Sequence, residues 1–167
     1  MNIRPADITR EPRHEQAAAW FMALHDEEVA DETIQGWQQW MVVESNRKIR
    51  RVYSIGLGDD PVGHKEQRGD SRTPEGSYQI NFKHDKSRYH LSMRISYPDA
   101  RDRAHAKKLR VRPGGDIMIH GTPNGLEWWR TLLLERDWTD GCIAVTNQEI
   151  AEIWALVRVG TRVDIRP

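Results

Sequence analysis

Two short stretches, DIMIHGT (Asp116–Thr122) and DWTDGCIAV (Asp137–Val145), contain the most informative pattern in this chain. Each combines a run of strand-forming residues with a glycine beside a reactive side chain, which is His120 in the first and Cys142 in the second. Taken singly, either residue is as well explained by a structural role. Together they predict a nucleophile and its base, because a thiol needs a neighbouring base or a positive dipole to react as the thiolate.

The residues around Cys142 fit this interpretation. Gly141 precedes it, and a turn at these two residues can direct two backbone N–H groups at a developing oxyanion. The segment that begins at Thr146 has the form of a helix capping box, with Glu149 three residues later. A helix start nearby places partial positive charge close to the thiol.

The carboxy-terminal two-thirds of the chain predicts a β-rich domain over residues 54–167. Glycine and proline are frequent there, and they separate short runs with strand-like composition. These runs are Ser77–Phe82, Tyr89–Tyr97, Asp116–His120 and Arg162–Ile165.

Residues 1–53 predict a small helical module, so the predicted fold class is α+β. Apolar residues recur there at helical spacing: Ala17, Trp20, Phe21 and Leu24 in a first helix, and Ile34, Trp37 and Met41 in a second that Asp31 caps. A third short helix is predicted at Arg47–Tyr53.

The bulk properties exclude several classes of function. The chain has 25 basic and 25 acidic side chains and a formal net charge of zero, so it lacks the electrostatic pattern of a nucleic-acid-binding protein. No apolar run is long enough to span a membrane. The single cysteine excludes an intramolecular disulfide, and no cluster has metal-ligand spacing, so we expect neither a metal nor another cofactor.

The amino terminus, MNIRPADITREPRHEQ, lacks the apolar stretch of a secretory signal peptide. We therefore expect either a cytoplasmic start or an effector-type export route. If the protein is exported, its predicted location is the periplasm or cell envelope.

Four blocks resemble the catalytic domain of the L,D-transpeptidases, the YkuD-type family, and they occur in the family's order. They are PVGHKEQRGDSRTPEGSY (61–78), YHLSMRISYP (89–98), PGGDIMIHGTPNG (113–125) and DWTDGCIAVTNQEIAEIW (137–154). The resemblance implies a β-rich, sandwich-like fold and acyl transfer on peptidoglycan stem peptides through a thioester. Some members release a residue to water as L,D-carboxypeptidases. Carbapenem-type inhibitors are implied as ligands.

The resemblance also implies the site residues. Cys142 matches the nucleophile, His120 the base, and Gly121 the residue whose backbone carbonyl orients that base. The amides of Gly141 and Cys142 match the oxyanion hole. The residues expected in the substrate cleft are Tyr89, His90, Thr122, Trp138, Thr139 and Asp140.

Two positions depart from the pattern of many family members. Asp140 replaces a histidine before the Gly-Cys pair, and Ala144 replaces an arginine or asparagine after it. A carboxylate beside the thiol is expected to raise the cysteine pKa.

The helical segment is similar to the amino-terminal module of FecR-type anti-sigma regulators, over EQAAAWFMALHDEE (15–28) and WQQWMVVESNRKIRRVY (37–53). This resemblance implies a protein partner for the module. Two alternative functions therefore stay open: a peptidoglycan-targeting effector toxin exported without a classical signal, and a non-catalytic regulatory binding protein that uses the module.

Overall fold

The computed structural model describes residues 21–25, 40–45, 48–126, 128 and 137–166, with side chains from Arg51 onward. The strands are β1 (Phe21–His25), β2 (Trp40–Ser45), β3 (Lys48–Ser54), β4 (Gly76–Ser87), β5 (His90–Ile95), β6 (Met118–His120), β7 (Ile143–Ala144) and β8 (Arg162–Arg166). The helices are α1 (Ala100–Leu109) and α2 (Asn147–Leu156).

The strands form one mixed sheet in the order β3-β2-β1-β8-β4-β5-β6-β7. The pairs β1/β2 and β6/β7 are parallel, and the other pairs are antiparallel. The long strand β4 pairs with β8 over its first four residues and with β5 from Ile80 onward. Just after β3, Gly56 exchanges backbone hydrogen bonds of 2.9 and 2.8 Å with Ala144 of β7. The sheet is therefore curled, because the residues that follow one edge strand, β3, pair with the other edge strand, β7.

The helices predicted for residues 14–53 are wrong wherever the structure describes those residues. Phe21–His25, Trp40–Ser45 and Lys48–Ser54 are strands. The segment 40–54 contains valine and isoleucine, which favour strands, and its two strands pair with each other. Strand β1 pairs with β2 and with β8, and this pairing outweighs the helical spacing of the apolar residues. The other residues of the predicted module lie outside the described part of the chain, so its partner-binding role stays a prediction.

The predicted carboxy-terminal strands are confirmed as parts of β4, β5, β6 and β8. The capping box at Thr146 and Glu149 is also confirmed, and it begins α2. The sequence analysis did not predict α1, which Asp99 caps through its side chain. No helix in the described part of the chain is long and apolar enough to cross a membrane.

The hydrophobic core lies where α2 packs on β5 and β6. Ile119 of β6, Ile143 of β7 and Ile150 and Ile153 of α2 are fully buried. Because α2 follows β7 directly, its packing fixes the positions of both short strands.

We expect Thr146→Ala to lower the free energy of unfolding by about 1 kcal/mol. The Thr146 hydroxyl accepts a hydrogen bond from Glu149 N–H at 3.2 Å, and the Glu149 carboxylate accepts one from Thr146 N–H at 2.8 Å. Urea denaturation gives the measurement. Gln148→Ala, at an exposed position in the same turn, is the control, and equal losses from the two variants would contradict a capping role.

Candidate active site

The pairing of β6 with β7 brings the thiol beside the strand that ends in His120. The two strands are parallel, with Ile119 opposite Ile143 and His120 opposite Ala144. Cys142 lies immediately before β7, and its Sγ accepts a hydrogen bond from the Met118 N–H at 3.4 Å. The sulfur is therefore held against β6, two residues along the strand from His120.

A single hydrogen bond fixes the orientation and tautomer of the His120 ring. Its Nδ1 lies 2.7 Å from the backbone carbonyl oxygen of Gly121. A carbonyl can only accept, so Nδ1 carries the proton and Nε2 is left as an unprotonated acceptor. Gly121 is itself held because its N–H donates to the carbonyls of Tyr89 and Leu91. A Cβ at Gly121 would lie 2.4 Å from Asn147 Oδ1, which explains the glycine.

Two aromatic rings surround His120. The Tyr89 ring centroid is 4.5 Å from the imidazole centroid, and the Trp138 ring meets the imidazole edge-on at 5.8 Å. His120 is only 3% exposed. Burial lowers the pKa of His120 below its ordinary value, and the hydrogen bond with Gly121 only partly opposes this effect.

The pKa of the Cys142 thiol is raised, first by its burial. The hydrogen bond from Met118 N–H and the charge of Lys65 lower this pKa, whereas Asp140 and Asp116 raise it. The expected effect of Asp140 is confirmed in direction. A thiol with a raised pKa beside an imidazole with a lowered pKa gives a neutral pair at rest, because both shifts disfavour the thiolate–imidazolium form.

The turn before Cys142 is held by hydrogen bonds of its own. The Gly141 N–H donates to Thr139 Oγ1 at 3.1 Å, and the Thr139 hydroxyl donates to the Cys142 carbonyl at 2.7 Å. Thr139 is buried and holds the turn together. The predicted places of Gly141 in the oxyanion hole and of Thr139 in the substrate cleft stay predictions.

Some of the remaining predicted cleft residues lie beside His120 or Cys142, and the others make hydrogen bonds elsewhere in the protein. Tyr89 and Trp138 contact His120, as described, and Asp140 is exposed beside the thiol. Thr122 is buried, with its N–H and hydroxyl both donating to Asn147 Oδ1, and its place in the substrate cleft stays a prediction. His90 is exposed at the turn between β4 and β5, and its N–H donates to Asn124 Oδ1 at 2.9 Å.

Residues that were not predicted from the sequence support the turn from the other side. Lys65 is buried and paired with Asp70, and the Thr73 hydroxyl donates to the Gly141 carbonyl at 3.0 Å. All three belong to one block of the family resemblance, which was the available signal. Within the described part of the chain, no group of three or more His, Cys, Asp or Glu residues is arranged to hold a metal ion.

The YkuD family model, described as the L,D-transpeptidase catalytic domain, matches residues 35–165. This chain therefore belongs to that family. The match includes residues 35–53, which were predicted to form a separate module.

The Escherichia coli (strain K12) protein YafK, itself a provisionally assigned L,D-transpeptidase, is 31% identical over 140 residues. The similarity covers 83% of this chain and 46% of YafK.

Among solved structures, the helical cell shape determining protein Pgp2 of Campylobacter jejuni is similar with a TM-score of 0.53 and 27% identity. The similarity covers 69% of this chain and 38% of Pgp2. The chain thus spans less than half the length of either relative. The similarity to the Pgp2 structure agrees with the fold described above.

We expect Gly141→Ala to destabilise the protein by about 1–3 kcal/mol more than Gly160→Ala. Both glycines have positive φ, +111° and +93°, so both substitutions introduce backbone strain. Only at Gly141 would the new Cβ meet backbone, at 2.2 Å from the Arg72 carbonyl oxygen, whereas nothing lies within 4 Å at Gly160. Urea denaturation of both variants gives the comparison, and similar losses would argue against a tightly packed turn.

His120 should make stability depend on pH. In the unfolded chain its pKa returns to about 6.5, whereas burial keeps the folded imidazole neutral to lower pH. Below pH 6.5 the unfolded state therefore binds more protons, and stability falls as pH falls. We expect His120→Gln to lose less stability than the wild type between about pH 7.5 and about pH 5.5.

The measurement is the free energy of unfolding at both pH values. Gln148→Ala, an exposed substitution that removes no ionisable group, serves as the control and should keep the wild-type slope. An unchanged slope in His120→Gln would show that another group governs the acid response.

Proposed function

We propose that this protein is a cysteine-dependent acyltransferase that acts on peptidoglycan stem peptides, as an L,D-transpeptidase or an L,D-carboxypeptidase. One observation carries the proposal: an imidazole with a free Nε2 and a thiol are held by adjacent strands of a YkuD-family domain. Membership in the family supports the class of substrate. Because the chain spans less than half of its relatives, the activity of the whole protein belongs to this proposal too.

The first half-reaction starts from the neutral pair. Cys142 Sγ attacks the carbonyl carbon of a donor peptide bond while its proton moves to His120 Nε2. The tetrahedral oxyanion then collapses, the carbon–nitrogen bond breaks, and Nε2 returns the proton to the leaving amine. A thioester on Cys142 and a neutral imidazole remain.

The second half-reaction uses the same groups in reverse. An acceptor amine or water attacks the thioester carbonyl, and Nε2 takes the proton that it loses. The thiolate leaves and regains this proton from His120. An amine gives transpeptidation, whereas water gives carboxypeptidation.

Backbone and aromatic groups complete the proposed site. Because the Gly141 N–H is engaged by Thr139, we assign oxyanion stabilisation to the Cys142 N–H. Tyr89, which is 36% exposed and stacks near His120, forms a wall against which a stem peptide can pack. Asp140 is exposed beside the thiol and faces the incoming peptide.

Stem peptides are found in the cell wall, so we place the activity in the periplasm or cell envelope. The similarity to Pgp2, a protein that determines helical cell shape, fits a role in trimming or cross-linking the wall. The comparisons give no support to the effector toxin or to the non-catalytic regulator.

A carbapenem tests the proposal directly. We expect wild-type protein to gain the mass of one drug molecule by mass spectrometry, because the thiol opens the β-lactam ring and stays acylated. Cys142→Ala should gain none, since the chain has no other cysteine. His120→Ala should acylate about 10²- to 10⁴-fold more slowly, because the general base is lost.

His90→Ala is the matched control for the base and should acylate at close to the wild-type rate. Incubation with a disaccharide tetrapeptide, with and without an acceptor amine, then separates hydrolysis from transpeptidation. Wild-type protein that stays unmodified by the drug and leaves the muropeptide intact would overturn the proposed function.

A further inference from the structure

A buried ion pair lies behind the reactive turn. Lys65 is in the segment between β3 and β4 and is 2% exposed, and its Nζ lies 2.6 Å from Asp70 Oδ1. The Asp70 carboxylate also accepts hydrogen bonds from the backbone N–H groups of Glu66, Gln67 and Arg72. These bonds lower the pKa of Asp70 although burial opposes them, so the carboxylate keeps its charge. The ammonium is thus held in one place by a rigid acceptor.

The ammonium faces the residue before the nucleophile. A Cβ built on Gly141 would lie 3.4 Å from Lys65 Nζ and 2.2 Å from the Arg72 carbonyl oxygen. The segment that contains the ion pair is therefore packed directly against the Gly141–Cys142 turn. Gly141 leaves no side chain between the charge and the turn.

Stability alone is a poor account of this pair. Burying two charges costs several kcal/mol per ion, and replacing such a pair with well-packed apolar residues is often neutral or stabilising. Here the cation lies beside the turn where, on the proposed function, negative charge develops on the sulfur and on the oxyanion. The placement fits an electrostatic role.

We propose that Lys65 is a positioning residue for the reaction: its ammonium, held by Asp70 behind Gly141, favours the negative charge that forms at Cys142. This inference rests on the proposed function. Lys65 acts through the turn and does not touch the substrate.

Other charged groups also act on the Cys142 thiol, and some of them disfavour the thiolate that Lys65 favours. Within the described part of the chain, Asp140 and Asp116 act on the thiol with negative charge, and Lys65 acts with positive charge. His120 is neutral at rest, for the reasons given above. Removing the Lys65 charge therefore leaves the two carboxylates and the burial of the thiol to raise the pKa of Cys142 further.

The rate of alkylation of Cys142 by iodoacetamide, measured as a function of pH, tests the inference. This readout needs neither a peptide substrate nor acyl transfer, and the single cysteine makes it specific. We expect Lys65→Met to shift the profile to higher pH and to slow alkylation at neutral pH by about tenfold. Lys65→Arg, which keeps the charge, should stay close to the wild type.

Asp70→Asn is expected to shift the alkylation profile in the opposite direction to Lys65→Met. It removes the negative charge that neutralises Lys65, and its one side-chain oxygen can still accept from the Glu66 and Gln67 N–H groups. It should therefore shift the profile to lower pH. A merely structural role would move both variants in the same direction. Lys83→Met is the control, because Lys83 donates to the carbonyls of Trp154 and Val157 at the end of α2 and should leave the profile unchanged.

Opposite shifts in Lys65→Met and Asp70→Asn would support the inference. Superimposed profiles, or shifts of the same sign, would overturn it. If Lys65→Met fails to fold, Asp70→Asn decides: a profile at lower pH supports the inference, and an unchanged or higher one overturns it. A wild type that alkylates normally but resists carbapenem would count against the proposed function alone.

Discussion

The parallel pairing of β6 with β7 is the constraint on which the site depends. It consists of two residue pairs, yet it brings together His120 and Cys142, the base and the nucleophile of the proposed function. A ladder this short is weak by itself, and its stability comes from Ile119 and Ile143, which α2 covers. The same packing buries His120, whereas Cys142, immediately before β7, stays partly exposed. The pKa of His120 is lowered and that of Cys142 is raised, so the imidazole and the thiol are both neutral before a substrate arrives.

The parts of the fold that follow local patterns were predictable from the sequence. Helix α2 was found because its capping box precedes an apolar stripe, and the later strands were found because turn residues separate them. Helix α1 was missed because its buried face consists of little more than Asp102 and Ala106, although Asp99 and Asp102 form a capping box. The amino-terminal strands were misassigned for two reasons. Strand β1 pairs with the distant β8, which leaves no local signal, whereas β2 and β3 pair with each other and their apolar residues also fit helical spacing.

The reactive groups of the site were predictable for a different reason, which is that their chemistry restricts the residue type. A thiol, an imidazole and adjacent glycines can be recognised without coordinates. Hydrogen-bond partners cannot, and so the sequence does not show that the Thr122 and Thr139 hydroxyls donate within the protein. Lys65 was overlooked because a lysine in a polar segment is usually solvated, and only packing shows that this one is buried.

The position of β8 has a consequence for biosynthesis. This strand lies between β1 and β4, so it joins the amino-terminal strands to the strands that hold the site, although it is made after all of them. A nascent chain that has not reached Arg162–Arg166 leaves β1 and β4 with open edges, and its two groups of strands meet through the short pairings of Gly56 with Ala144 and of Gly58 with Thr139. The sheet therefore assembles late and through contacts of high sequence separation, which predicts slow folding and a need for protection from aggregation during synthesis.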